Sequence, residues 1–171
     1  SNRLSFFKLV PGITEVTEAM IPGECEKDEN GNVKNGFRTG VKTLRIPKGV
    51  KFIKQNSFQG FAGLVKVELP STLEEIDTRA FQYCSSLNNI TLPSKLKKIG
   101  NNAFHKCMKL QSITFPDELN GLNEIGENAF HACYSLRSIN LPKGLKTIGK
   151  QAFHACYRLQ SIEFPDSLET I

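Results

Sequence analysis

Tryptophan is absent from this chain, methionine and histidine are scarce at two and three residues, and no apolar run approaches the ~18 residues of a membrane-crossing helix. Insertion into a membrane as a helix is therefore excluded. Charge of one sign is also in short supply: 22 Lys and Arg against 17 Asp and Glu leave only +5 over 171 residues. A nucleic-acid surface needs that charge gathered on one face. Five cysteines are an odd number, which argues against a complete disulfide framework. There is no P-loop, no GxGxxG and no HExxH. What remains, at 39% hydrophobic and 23% charged, is one ordinary domain with a real core rather than a disordered tail.

What the chain does have is a beat. Pro47, Pro70, Pro93 and Pro116 are each 23 residues apart, Pro142 follows after 26 and Pro165 after 23. Phe58, Phe81, Phe104, Phe130 and Phe153 keep the same time, as do Cys84, Cys107, Cys133 and Cys156, with Phe61 in the cysteine place of the first unit. The three extra residues fall within 117–122 and leave the columns intact on both sides, as a loop at one edge of a stack would. The unit 69–90 carries small or apolar residues at Leu69, Leu73, Ile76, Ala80, Phe81, Cys84, Leu87 and Ile90. That spacing fits neither one long helix nor one strand. It fits a coil that turns several times and points these residues inward each time. A single unit cannot bury such a face, so neighbours must share a continuous core.

The stretches 41–47, 64–70, 87–93, 110–116, 136–142 and 159–165 read as strands, because their fourth and sixth places are apolar about a polar fifth. Proline ends each of them for want of an N–H donor. A second short extended stretch, such as 96–99, precedes Gly100, Gly126 or Gly149 in three units. The Ala-Phe-x-x-Cys part, as in 129–133, suits a single helical turn with Phe and Cys inward.

The pattern LxxIxLPxxLxxIGxxAFxxC, recurring over about residues 41–171, resembles the BspA-like class of leucine-rich repeats. The resemblance implies a repeat solenoid, α/β to mainly β: a right-handed coil of 23-residue units with a parallel sheet along its concave side. It further implies a bacterial cell-surface or secreted protein used in adhesion. The family pattern names no catalytic residue, so none is carried over.

In a parallel stack equivalent residues lie ~4.8 Å apart, and each column becomes a ladder of side chains. The two outward strand columns read Thr43, Lys66, Asn89, Ser112, Ser138, Ser161 and Arg45, Glu68, Thr91, Thr114, Asn140, Glu163. Asn89, Thr91, Ser112, Thr114, Ser138, Asn140 and Ser161 thus form a hydroxyl and amide surface suited to hydrogen-bonding a protein or glycan, or simply a solvated sheet face. A second candidate is an aromatic rim of Tyr134 and Tyr157, one repeat apart, with Arg137 and Arg158 near in sequence; exposed Tyr and Arg are frequent binding anchors. On the second extended stretch Lys51, Glu74, Lys97, Asn123, Lys146 and Glu169 tend to alternate in sign, which disperses the charge and speaks against nucleic acid.

His105/Cys107, His131/Cys133 and His154/Cys156 are the one constellation with metal-ligand chemistry. Two places apart on one turn, the two columns are expected to diverge, leaving free buried thiols and a surface histidine ladder with a weak sensitivity to acid. Parallel Cβ vectors likewise keep neighbouring cysteines too far apart for a disulfide. No metal, cofactor or enzymatic activity is expected.

Residues 1–40 do not follow the beat and read as an N-terminal cap, a degenerate repeat with a hairpin at Asn30-Gly31; Ser1-Asn2 has the look of a tag remnant. Residues 41–171 hold about five and a half repeats, and the absence of a polar cap at the end suggests truncation, with an open last strand able to pair with another copy of an otherwise monomeric chain. The expected role is a non-catalytic binding or adhesion module, cell-surface or secreted, for a host or neighbouring-cell protein or glycan. The alternative is a rigid spacer presenting another domain; a metal-binding or enzymatic protein is the remaining one.

Overall fold

The computed structural model describes residues 6–21, 29, 37–119 and 121–171. Each unit forms one coil of a parallel solenoid. Its first side is a seven-stranded sheet of β1 (Phe6–Lys8), β3 (Thr43–Arg45), β5 (Lys66–Glu68), β7 (Asn89–Thr91), β9 (Ser112–Thr114), β11 (Ser138–Asn140) and β13 (Ser161–Glu163), in that order. A six-stranded sheet of β2 (Glu15–Val16), β4 (Phe52–Ile53), β6 (Glu75–Ile76), β8 (Lys98–Ile99), β10 (Glu124–Ile125) and β12 (Thr147–Ile148) forms another. Register follows the repeat: Ile90 lies beside Ile113, and Ile99 beside Ile125. The strands are short because the chain must turn inward again. Ile46 N–H still donates to Glu68 O at 3.0 Å, and Pro47 then has nothing to donate.

The expected helical turn at Ala-Phe-x-x-Cys is corrected. The N–H groups of Asn102, Phe104 and Lys106 reach across to the carbonyls of Glu127, Ala129 and His131 in the next coil, at 2.8, 2.8 and 2.9 Å. Ala103, His105 and Cys107 instead donate to carbonyls three residues back, at 3.3, 3.1 and 3.1 Å. A helical turn would keep all these donors within its own coil. The alternation is produced by two left-handed residues per turn, here Asn102 (φ 57°) and Lys106 (φ 60°), and the same pair recurs at Asn128 and Ala132. Such a conformation strains an ordinary L-residue, and the coil-to-coil bonds hold it.

The core is a column of rings. Phe58, Phe81, Phe104 and Phe130 are fully buried and stack with centroids 5.3 Å apart; Phe153 continues the stack at 5.5 Å. Beside them Cys84, Cys107, Cys133 and Cys156 are free and buried. Each thiol donates to the carbonyl of the phenylalanine one coil back, as Cys107 Sγ does to Phe81 O at 3.3 Å. Burial pushes the Cys107 and Cys133 thiols well up and Cys156 to about 11, so these thiols behave as small hydrophobes with one weak donor.

The three-residue insertion adds a second buried leucine: Leu119 and Leu122 are 1% and 0% exposed, where the preceding unit buries Leu96 alone. Ahead of the regular units, β1 pairs with β3 and β2 with β4, so the opening segment adds one strand to each sheet. Asn30-Gly31, Ser1-Asn2 and Cys25 lie outside the described residues.

Candidate binding surfaces

The seven-stranded sheet positions one candidate surface by simple alternation. The central residue of each strand, such as Ile90, Ile113 or Ile139, faces the core, so its two neighbours must face out. Asn89, Thr91, Thr114, Ser138, Asn140 and Ser161 are exposed, and Ser112 is half-buried. Ser112 Oγ donates to Asn89 Oδ1 at 2.7 Å. Among the described residues the side chains of Thr91, Thr114, Ser138, Asn140 and Ser161 form no hydrogen bond to protein, and their donors and acceptors face solvent. Charge lies at the two ends of this face, with Glu163 exposed on β13 and a cluster on β3 and β5. Arg45 Nε and Lys66 Nζ donate to Glu68 at 2.6 and 2.8 Å, and these bonds, Arg45's first, hold the Glu68 carboxyl down at about 2.

On the six-stranded sheet opposite signs stand beside one another, with Glu74 taking Lys97 at 2.7 Å and Lys51 at 3.7 Å, and Glu75 taking Lys98 at 2.7 Å. Charge is neutralised rung by rung, and no basic stripe forms.

The rim is assembled in part. Tyr134 and Tyr157 stack with centroids 5.4 Å apart and planes 7° apart, and are 37% and 80% exposed. Rings stacked along the solenoid axis cover each other's faces, so the rim offers edges, hydroxyls and one free face on Tyr157. Arg137 and Arg158 are exposed. Among the described residues neither guanidinium lies over a tyrosine ring or in an ion pair.

The sequence matches the BspA-type leucine-rich repeat region over residues 37–124 and 123–171, in six copies. The chain belongs to the BspA-type leucine-rich repeat family. Its fold is similar to that of a leucine-rich repeat protein of T. pallidum (TpLRR), at 33% identity and a TM-score of 0.70, over 75% of this chain and 59% of that one. It is also similar to a leucine-rich cell surface protein of Faecalibacterium prausnitzii (27%, TM-score 0.63, 77% of this chain and 34% of that). The pneumococcal vaccine antigen PcpA is 28% identical with a TM-score of 0.62, over 85% of this chain and 33% of its own. The BspA-type chain thus spans about a third to three-fifths of the length of these relatives. No curated protein matches it closely enough to count as a relative.

Within this BspA-type solenoid Arg38, from outside the regular units, joins the repeating column that Gln59 and Gln82 share with the three histidines. Arg38, 3% exposed in α1 (Phe37–Gly40), donates to the Gln59 carbonyl and lies 5.6 Å from the Phe61 ring centre. Gln59 Nε2 donates to Gln82 Oε1, and Gln82 Nε2 to His105 Nδ1 at 2.9 Å. His105, His131 and His154 follow at ring separations of 4.9 and 5.0 Å. His131 Nδ1 donates to Asn128 Oδ1 at 3.2 Å. The thiols stay inside while the imidazoles lie toward the surface, so the His and Cys columns diverge as expected.

Partial burial, His154 and Lys106 together lower the His131 pKa below its ordinary 6.5. A base whose folded pKa is lowered leaves the unfolded chain to bind the proton first. Stability is therefore unaffected above pH 6.5 and falls as the pH drops below it, until the folded pKa is reached. His131→Gln, the residue type found at Gln59 and Gln82, is expected to lose less stability than the parent between pH 7.5 and 5.5. Urea midpoints at the two pH values check this; equal losses refute it.

A second feature also escaped the sequence reading: a hollow on the outer face of β5 and β7, lined by Val65, Lys66, Glu68, Asn88, Asn89 and Thr91 among others. The signal was Val65, 40% exposed, in a column otherwise polar at Lys42, Asn88, Gln111, Arg137 and Gln160.

Proposed function

We propose that this chain is a non-catalytic binding module of a bacterial cell-surface or secreted protein, used for adhesion to a host or neighbouring-cell protein or glycan. One observation carries the reading: a rigid parallel sheet presents successive exposed hydroxyl and amide side chains, from Asn89 to Ser161, whose hydrogen-bonding groups are largely unused within the chain. Strands fixed at both edges by coil-to-coil bonds lose little freedom on binding, so preorganised donors and acceptors retain more of their interaction energy. Family membership and the cell-surface and antigen relatives support the same setting. A second reading places the site at the rim, favoured by Tyr157, whose ring is 80% exposed.

The test is binding of the immobilised chain to a panel of host matrix proteins and glycans. Saturable binding is expected, and Asn89→Ala/Ser112→Ala/Ser138→Ala should weaken it at least tenfold while Tyr134→Ala/Tyr157→Ala leaves it intact. The opposite pattern moves the site to the rim. No saturable binding at tens of micromolar refutes the binding reading in favour of a spacer.

A further inference from the structure

The parallel pairing of the seven-stranded sheet is shortest between β5 and β7; it runs to three residues at most steps and to two between β9 and β11. β3 and β5 pair along three residues, as do β7 and β9, whereas β5 and β7 are in register only at Lys66 and Asn89. Ile46 N–H donates to Glu68 O and Leu92 N–H to Thr114 O, at 3.0 and 2.9 Å. Among the described residues the corresponding Leu69 N–H finds no such partner, and neither do those of Phe115 and Leu141. Val67, at the core position of β5, is smaller than the leucine or isoleucine that every neighbouring strand carries there. Where the strands part, an open hollow of about 680 Å³ lies on the outer face. That volume is within the range of about 300–1,000 Å³ for small-ligand sites.

We propose that this hollow between β5 and β7 is a subsite for a neutral glycan, taking a short stretch of sugar units. The proposal rests on the reading of this sheet face as the binding surface and names its ligand class. Its lining argues the chemistry. Lys66 and Glu68, the charged side chains of the lining, pair with each other at 2.8 Å and cancel, so the lining itself carries no net charge to select an ion. Ser71, Asn88, Thr91 and Ser94 bring three hydroxyls and an amide, none of them hydrogen-bonded within the described residues. Val65, Leu69 and Pro93 supply apolar surface among them. Hydroxyls and amides set among aliphatic patches match a sugar ring, which has hydroxyls at its edge and C–H bonds on its faces. Leu69, whose N–H has no backbone partner among the described residues, is itself part of the lining.

The experiment is a ¹H–¹⁵N titration of the chain with chitotriose, cellotriose and maltotriose, and with a capped tri-alanine peptide as the competing chemistry. A saturable response is expected with at least one sugar, confined to amides of residues 65–71 and 88–94. Asn88→Ala should weaken it at least fivefold. Ser71→Trp, an exposed position chosen so that folding is spared, should fill the hollow and abolish it, while Lys150→Ala, exposed and outside both candidate surfaces, should not change it. Equal response to the peptide, response elsewhere on the chain, or none with any sugar overturns the subsite. If panel binding is lost in the Ser112/Ser138 variants but unchanged by Ser71→Trp, the subsite fails while the sheet-face reading stands.

Discussion

Phe104→Ala is expected to destabilise the solenoid by about 3–5 kcal/mol, the usual cost of deleting a buried aromatic ring. The upper half of that range applies because the gap cannot close. Phe81 and Phe130 stack on the two faces of Phe104 at 5.3 Å, and each belongs to a coil whose backbone is bonded to its neighbours. Neither ring can move toward the other without breaking a ladder. Phe153→Ala supplies the internal comparison. That ring is half-buried and, among the described residues, stacks on Phe130 alone, so its removal should cost less than half as much. Denaturant midpoints followed by far-ultraviolet circular dichroism measure both; equal effects at the two positions would show that the stack is not what holds the coils together.

Gly126→Ala is the second large effect, about 3 kcal/mol or more, and it arises from overpacking rather than from a cavity. A Cβ on Gly126 would lie 2.6 Å from the carbonyl carbon of Gly100 and 2.7 Å from Asn101 N. Both contacts are backbone. Gly126 N–H is itself bonded to Ile99 O at 2.9 Å, and Asn101 Oδ1 accepts the Glu127 N–H at 2.9 Å, so neither coil can yield. Glycine is required here by close approach of two chains rather than by an unusual φ. Gly121→Ala, in the insertion, should be nearly neutral, since its Cβ would meet nothing closer than Lys97 Cγ at 3.4 Å. Thermal midpoints of the two variants test the contrast, and a Gly126→Ala midpoint within two degrees of the parent refutes the steric account.

The two positions mark how legible this protein is. Phe104 could be placed in the core from the spacing of five phenylalanines, because burial in a stack imposes the same requirement once per coil. The inward cysteines, the strand positions and the alternating charges of Glu74 and Lys97 follow for the same reason. The outward face of Asn89, Ser112 and Ser138 was equally readable, since a strand exposes every second residue.

What the coils do to one another was not in the pattern. An Ala-Phe-x-x-Cys segment has the local look of a helical turn. Only the neighbouring coil, offering carbonyls to Asn102, Phe104 and Lys106, makes the left-handed alternation the better arrangement. The stacking of Tyr134 on Tyr157, which makes the rim largely a row of edges, was not readable from their spacing. Arg38 reaches the glutamine and histidine column from a segment outside the regular units. The sequence by itself determined the repeat, its inside and its outside, because periodic burial is written one residue at a time. Tertiary structure alone decided the coil-to-coil bonds of the Ala-Phe-x-x-Cys turn and the short pairing between β5 and β7, because both depend on backbone groups that meet partners in another coil, or fail to.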